Sequence, residues 1–251
     1  MPEDVSYTAH YETWHNRSQE HLRTMLQFYA RTFDSDLRAI AAALGKPLVD
    51  LRLLDFGCGM GLFLHYCQTQ GVRSLTGFEL DEGQASYGRG LGLNVEQSPD
   101  PLAWLEAHKD EYDVIFSIDV LEHVPTDHLP RTLRCLRGLL GAQGRFVATV
   151  PNGNAALAGR WRYIDWTHRT SFSEHSLTHV LRMAGFQDPV VSESEVARFY
   201  RGEPGVLKKA SEAAILKVVR FVRTLQYVGE LGWDEGLAIP LTTNIKVIAC
   251  K

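Results

Sequence analysis

Asp55 stands two positions ahead of Gly57-Cys58-Gly59-Met60-Gly61, where the short apolar run Leu51, Leu53, Leu54 ends. A helical pattern follows at once, with Leu62, Phe63, Tyr66 and Cys67 on one face. Strand, glycine turn and helix open a cleft for a nucleotide-like ligand in an α/β protein. Glycine permits the positive φ of such a turn, and its missing Cβ lets ligand atoms lie against the backbone. The spacing is GxGxG, not the GxGxxG of dinucleotide sites. A pyrophosphate wants backbone N–H groups and no nearby carboxylate. Asp55 instead suits a ligand with a cationic end, an ammonium or a sulfonium. Glu79, closing the next apolar run, is placed to accept both hydroxyls of a ribose.

A second group of reactive side chains lies about a hundred residues on. Pro151-Asn152-Gly153-Asn154 opens a segment rich in cationic and aromatic residues: Arg160, Trp161, Arg162, Tyr163, Trp166 and Arg169. Flat apolar rings beside hydrogen-bonding groups make a wall for a polar substrate. Within it, Asp165-x-x-His168 sets a carboxylate near an imidazole. A hydroxyl acceptor must lose its proton, and an imidazole of pKa near ~6.5 suits that task at neutral pH. His168 is therefore the candidate base and Asp165 its orienter; His123 is the second candidate. The pair is equally readable as a hydrogen-bonded brace. No His/Asp cluster has metal-ligand spacing, so no metal is assigned.

Alternating strands and helices must position these groups. Apolar steps of three and four predict a helix over 21–44, closed by Gly45-Lys46-Pro47. Strands are expected at about 51–55, 74–80, 93–96, 112–118 and 144–150, with helices at 60–70, 82–90, 100–108 and 129–140 between them. After an aperiodic stretch over 151–172 come a helix at 173–184, a strand at 190–196, a helical insertion over about 204–231 and a last strand at 243–249. Loops as long as 151–172 inside a compact domain are usually functional. The pattern implies a doubly wound, mostly parallel α/β sheet covered on both faces. Its organisation is one domain over 1–251: an N-terminal helical arm (1–48), a cofactor and catalytic core (49–200), a helical insertion (201–235) and the final strand (236–251). The first twenty residues, with Tyr7, Tyr11 and Trp14, either fold over the ligand or pack as an arm.

The 251 residues carry 45% hydrophobic residues and a formal charge of −4. That suits one ordinary core and gives no global attraction to nucleic acid. Cys58, Cys67, Cys135 and Cys250 lack CxxC spacing and read as reduced thiols of a cytoplasmic protein. No apolar run approaches the roughly 18 residues of a spanning helix, and the N-terminus lacks a signal-peptide pattern. In the insertion, Lys208, Lys209, Lys217, Arg220 and Arg223 punctuate an apolar series. Such a helix docks on the inner face of a membrane, grips an anionic partner, or packs on the body or a second subunit.

Four ordered motifs, Leu53-Leu-Asp55-Phe-Gly57-Cys-Gly59-Met-Gly61, Gly77-Phe-Glu79, Phe116-Ser-Ile-Asp119-Val-Leu-Glu122-His123 and Gly144-Arg-Phe-Val-Ala-Thr-Val-Pro-Asn152, resemble class I S-adenosylmethionine-dependent methyltransferases. The resemblance implies a seven-stranded sheet with an antiparallel last strand. It implies that Asp55, Gly57, Cys58, Gly59 and Gly61 hold the methionine part and that Glu79 and Leu80 hold the ribose side. Ser98, beside Gln97 where the family often has an acid, would flank the adenine; Asp119, Val120 and Leu121 would line the pocket beneath the sulfonium. Asp165-Trp-Thr-His168-Arg-Thr-Ser-Phe172 further resembles a subset that methylates sugars in bacterial polysaccharide and lipopolysaccharide synthesis. That implies a sugar or glycolipid hydroxyl as acceptor, with Asn152, Asn154, Arg160, Arg162, Tyr163 and Trp166 as substrate contacts. The alternatives are a small quinone, phenol or carboxylate acceptor, an NAD-dependent nucleotide-sugar oxidoreductase, and a non-catalytic cofactor-binding subunit.

Overall fold

The computed structural model describes residues 17–109, 111–194 and 205–251. The expected aromatic cover from Tyr7, Tyr11 and Trp14 lies outside the described residues. In chain order the elements are α1 (Gln19–Ala43), β1 (Arg52–Phe56), α2 (Leu62–Thr69), β2 (Ser74–Glu79), α3 (Glu82–Gly90), β3 (Val95–Gln97), α4 (Pro101–Ala107), β4 (Tyr112–Ile118), α5 (Leu129–Leu139), β5 (Leu140–Pro151), α6 (Ala158–Tyr163), α7 (Glu174–Met183), β6 (Gln187–Ser194), α8 (Val206–Leu231), α9 (Trp233–Ala238) and β7 (Asn244–Cys250).

The strands form one seven-stranded sheet in the order β3-β2-β1-β4-β5-β7-β6. Strands β1 to β5 pair in parallel, and β7 runs antiparallel to both β5 and β6. The doubly wound seven-stranded α/β sheet is thus as expected. Chain order reverses at β1, whose neighbours β2 and β4 lead to opposite halves of the sheet. Ligands bind at such a switch point, outside the carboxyl ends of the strands.

Successive strand residues face opposite sides of the sheet, and each side is buried. Leu54 and Phe56 of β1 join Ile115, Leu133, Leu136, Phe146 and Leu177 on one face. Leu51 and Leu53 join Phe33, Phe63, Leu64 and Phe116 on the other. Phe33 anchors α1 there, with ring centroids 5.3 Å from Phe63 and 5.6 Å from Phe116. Burying a side chain of that size contributes about 2–3 kcal/mol. Lys246 of β7 bonds Asp36 and the Thr32 carbonyl of α1, fixing the helix across the sheet.

Three local features depart from the sequence pattern. Strand β5 begins at Leu140, because Leu140 pairs with Tyr112 ahead of an irregularity in the register. The 151–172 segment contains the short helix α6, too brief to show periodicity. The insertion is a helical pair: α9 turns back on α8 after Gly232, and an added Cβ at Gly236 would lie 2.5 Å from the Val228 nitrogen. The Ser173–Ser176 capping box that starts α7 forms in full. No described helix is long and apolar enough to cross a membrane.

Candidate active site

Strand β1 ends against a turn in which Gly57, Gly59 and Gly61 have φ of +80°, +55° and +74°. The Gly57 and Cys58 amides both donate to the Phe78 carbonyl, at 2.8 and 2.9 Å, so the turn hangs from β2. Gly57 is required twice over. Its φ is left-handed, and an added Cβ would sit 2.4 Å from Val120 Cγ2.

Asp55 lies beneath this turn, 2% exposed, and its Oδ1 has no hydrogen-bond partner. Burial first, and then the nearby Glu79 carboxylate, push its pKa up to about 8. An ammonium at this point would satisfy Oδ1 and restore the charged carboxylate. Glu79 is also buried. Its Oε2 accepts from the Gly59 amide at 2.8 Å, and its Oε1 accepts from Leu80 and Asp81, each at 2.9 Å. Burial raises its pKa against those three bonds. Oε1 already accepts two bonds and Oε2 one, so Oε2 keeps a lone pair that can accept from a ribose hydroxyl. Leu80, 58% exposed, offers apolar surface beside it.

The structure qualifies three expected cofactor contacts. Ser98 donates its amide to the Glu79 carbonyl at 3.2 Å, and its hydroxyl is tied to the Asp100 main chain. The Cys58 thiol is buried and points at Gly77, whose added Cβ would meet Sγ at 2.7 Å. Leu121 is a correction: a short 3-10 turn over Leu121–His123 drives its side chain fully into the core.

Asp119, at the end of β4, holds a left-handed φ of 55°, uncommon for a residue with a Cβ. Its amide donates to the Thr149 carbonyl at 3.0 Å. Its Oδ1 accepts from Thr149 Oγ1 at 2.9 Å and Asn244 Nδ2 at 2.6 Å. Water reaches Asp119 at the cleft, yet protein surrounds the carboxyl, and that burial pushes its pKa up to about 6. Such strain persists where neighbours over-determine it, and it clusters at functional sites. Thr149 and Asn244 had no signal in the sequence. Their role appears only when β5 and β7 pair beside β4.

The aromatic loop closes over this floor. The Glu122 carbonyl accepts from the Arg169 amide at 2.7 Å and the Thr170 amide at 3.3 Å, which brings His168 to His123. The two imidazoles meet edge to face, 4.7 Å between centroids. The carboxylate partner differs from expectation. Asp165 Oδ1 accepts from the Thr167 amide at 2.8 Å and the Thr167 hydroxyl at 2.6 Å, and Thr167 Oγ1 contacts His123 Nδ1 at 2.8 Å. Because the hydroxyl proton goes to Asp165, Thr167 must accept from His123 Nδ1–H, an assignment made from the network. Asp165 thus orients His123 through Thr167. His168 Nδ1 is set instead by the Trp161 carbonyl at 3.0 Å. Burial lowers both pKa values; His123 falls to about 4, with His168 beside it as a further cause. Glu122, 1% exposed, has Oε2 without a partner, and burial raises its pKa strongly.

The expected substrate contacts divide. Asn152 is a staple: Nδ2 donates to the Pro240 and Thr242 carbonyls at 2.8 and 2.9 Å, and Oδ1 accepts from the Asn154 amide. Asn154 donates to Glu174 at 2.6 Å, while its carbonyl faces Arg223 and Tyr227 of α8. Both tie the loop to its surroundings. Arg162 holds the Arg169 carbonyl at 3.0 Å and lies over the Tyr163 ring. Tyr163 and Trp166, 77% and 64% exposed, and Arg160 stand at the outer rim.

The family model for a methyltransferase domain matches residues 14–192. The ubiquinone biosynthesis O-methyltransferase of Roseobacter denitrificans is 30% identical over 178 residues, 64% of this chain and 67% of its own length. Its namesake from Ruegeria pomeroyi is 29% identical over 173 residues, covering 63% and 66%. Among solved structures, a SAM-dependent methyltransferase from Archaeoglobus fulgidus superposes with a TM-score of 0.65 at 20% identity, over 98% of this chain and all of that one. A possible histamine N-methyltransferase from Thermotoga maritima gives 0.59 at 17% identity, over 98% and 96%. These two show the fold. The chain belongs to the methyltransferase-domain family, and with Asp55 and Glu79 placed at the switch point it is an S-adenosylmethionine-dependent methyltransferase. The relatives lend no support to the sugar-methylating subset suggested by the loop motif.

Proposed function

We propose that the enzyme transfers the S-adenosylmethionine methyl group to a phenolic hydroxyl of a small aromatic acceptor, of the kind met in quinone synthesis. The observation that carries this reading is the imidazole pair at the cofactor cleft, His123 against His168 beside Glu122. The similarity to ubiquinone biosynthesis O-methyltransferases supports the acceptor class. The exposed apolar rim of Leu157, Tyr163, Ile164 and Trp166 suits an aromatic ring with an apolar substituent better than a sugar.

Methyl transfer is an in-line displacement, so the enzyme's first task is alignment, which can supply several kcal/mol, of order 7–11 in favourable cases. Asp55 would hold the cofactor's ammonium and Glu79 a ribose hydroxyl. The acceptor oxygen approaches the methyl group from the loop side. Its proton passes to Nε2 of an imidazole; His168, oriented by the Trp161 carbonyl, is the assigned acceptor, and His123 flanks it. The lowered pKa values leave both rings neutral at pH 7 but weaken them as bases, His123, at about 4, among them, so the proton transfer has to be drawn by the departure of the methyl group to the oxygen.

The test is an acceptor panel with isotopically labelled S-adenosylmethionine: catechols and hydroxybenzoates with and without apolar tails, against glycan and glycolipid fractions. Label on the phenolic oxygens supports the reading. Label in the glycan fractions alone overturns it in favour of a sugar acceptor.

A further inference from the structure

Helix α8 lies beyond the residues that the methyltransferase-domain model matches, which end at 192. A surface helix ordinarily turns its apolar side to the core and its charges to water. Helix α8 does the reverse. Its body-facing side is polar: the Arg223 guanidinium and the Tyr227 hydroxyl donate to the Asn154 carbonyl, at 3.4 and 3.3 Å. Its outward side carries Ile215, Val218, Phe221, Val222 and Leu225, each between 46% and 64% exposed, and none of its 26 residues is buried. Ile215, Val218, Val222 and Leu225 recur at steps of three and four, the spacing of a seam between two helices. Leu207, Trp233 and Leu237 extend the exposed apolar surface at its two ends.

We propose that this face is the interface of a homodimer, in which α8 packs antiparallel on α8 of a second copy of the chain. With the two-fold axis beside Phe221, Ile215 meets Leu225 of the second copy and Val218 meets Val222. Further out, Ser211 meets Gly229 of the second copy, and residues this small let the helices approach closely. The Ser211 hydroxyl already donates to the Lys208 carbonyl at 2.9 Å, so burying it orphans no donor. Charge selects both the occupant and the direction. Residues 206–218 carry Lys208, Lys209 and Lys217 against Glu212 alone, whereas residues 230–238 carry Glu230, Asp234 and Glu235 and no cation. Antiparallel pairing brings the basic half of each helix to the acidic end of the other, and parallel pairing would oppose like charges. A two-fold contact makes each such encounter twice.

An anionic lipid surface is the other occupant that a basic amphipathic helix suits. Two observations weigh against it. The arginines of α8 are turned to the body, Arg223 onto Asn154 and Arg220 into a cavity that Glu174 and Glu193 also line. At the far end Asp234 and Glu235 stand between the exposed Trp233 and Leu237, so anionic headgroups would be repelled where the apolar surface continues. Because Arg223 and Tyr227 hold the Asn154 carbonyl, the helix pair would also brace the root of the loop that carries His168.

The test is independent of the acceptor. The full chain is followed by analytical ultracentrifugation and light scattering across a range of concentration. A particle of twice the 28.2 kDa chain mass is expected. Phe221→Glu and Val222→Glu set a carboxylate in the seam and leave the body-facing side of α8 intact. Each should weaken the dimer by about 100-fold or more, while S-adenosylhomocysteine binding, the check that the chain still folds, is unchanged. Glu230→Lys should weaken it by about 10-fold at low salt and less at high salt, because it turns an unlike encounter into a like one on both sides of the axis. Monomer alone at about 50 μM overturns the interface. A monomer that co-sediments with phosphatidylglycerol-containing vesicles overturns it in favour of a lipid surface. A dimer that survives both seam substitutions overturns it too, and one indifferent to Glu230→Lys at low salt overturns the antiparallel pairing.

Discussion

The Gly59 amide donates to Glu79 Oε2 at 2.8 Å, so the glycine turn and the carboxylate beside it form one unit before any cofactor arrives. Glu79 then does two things: it shapes the turn from inside and keeps the remaining lone pair of Oε2 for a ligand hydroxyl. Glu79→Gln would set an amide N–H₂ against either the Gly59 N–H or the Leu80 and Asp81 N–H groups. The expected result is loss of about 1–3 kcal/mol of stability for an unsatisfied buried donor, together with weaker S-adenosylhomocysteine binding. Thermal melts and calorimetry check both; wild-type values for both would contradict the double role.

Asp55 predicts a proton balance. Its pKa is raised on folding to about 8, chiefly by burial. A raised carboxyl favours the fold below its unfolded pKa near ~4, and that contribution is lost as pH rises through about 8. The ligand-free enzyme should therefore lose stability from pH 5 toward pH 8, and Asp55→Asn should flatten that slope. The cofactor's ammonium reverses the preference. Binding at pH 7 should release a proton, and affinity should climb with pH until about 8. Calorimetry at pH 7 in buffers of different ionisation enthalpy reads this directly; heats independent of buffer would contradict it.

Gly57 predicts an incomplete rescue. Gly57→Ala should abolish cofactor binding, because its Cβ would meet Val120 Cγ2 at 2.4 Å and because φ is +80°. Adding Val120→Ala removes the clash but not the left-handed strain of about 1–2 kcal/mol. The double variant should recover part of the affinity, and full recovery would show that sterics alone matter.

Asn244 predicts a distant effect on the cleft floor. Asn244→Leu removes the 2.6 Å hydrogen bond to Asp119 Oδ1 and leaves Thr149 as its side-chain donor. The Asp119 pKa, already pushed up to about 6 by burial, should rise further, since that bond favours the charged form. Carboxyl titration by NMR checks the shift. An unchanged midpoint would mean that the bond does not tune Asp119.

The glycine turn, Asp55 and Glu79 were legible in the sequence because their work is local: a strand end, a turn and the next strand end carry it. The alternation of strands and helices was legible for the same reason, whereas the antiparallel last strand, β7, came from the resemblance to the methyltransferase family. The acceptor side was only half legible. His168 and His123 stood out as imidazoles, but the hydrogen-bonded link from the Asp165 carboxylate runs to His123, through a threonine that bears no signature of its own. Asn152 and Asn154 are polar and lie in the loop, yet their hydrogen bonds run to main chain and to α7. Leu121 follows a cofactor-side residue in sequence and turns into the core in space. These assignments depend on which strands pair and which way a turn winds, and one chain's residue pattern does not encode either.

Methyl transfer itself offers the most direct measurement. The enzyme is incubated with S-adenosylmethionine carrying a ¹³C-methyl group and a catechol acceptor, and the product is read by NMR. The predicted result is one new methyl resonance in the aryl O-methyl region, lost in His168→Ala. A resonance assigned to carbon, nitrogen or a sugar oxygen, or no transfer to any phenol, would contradict the account.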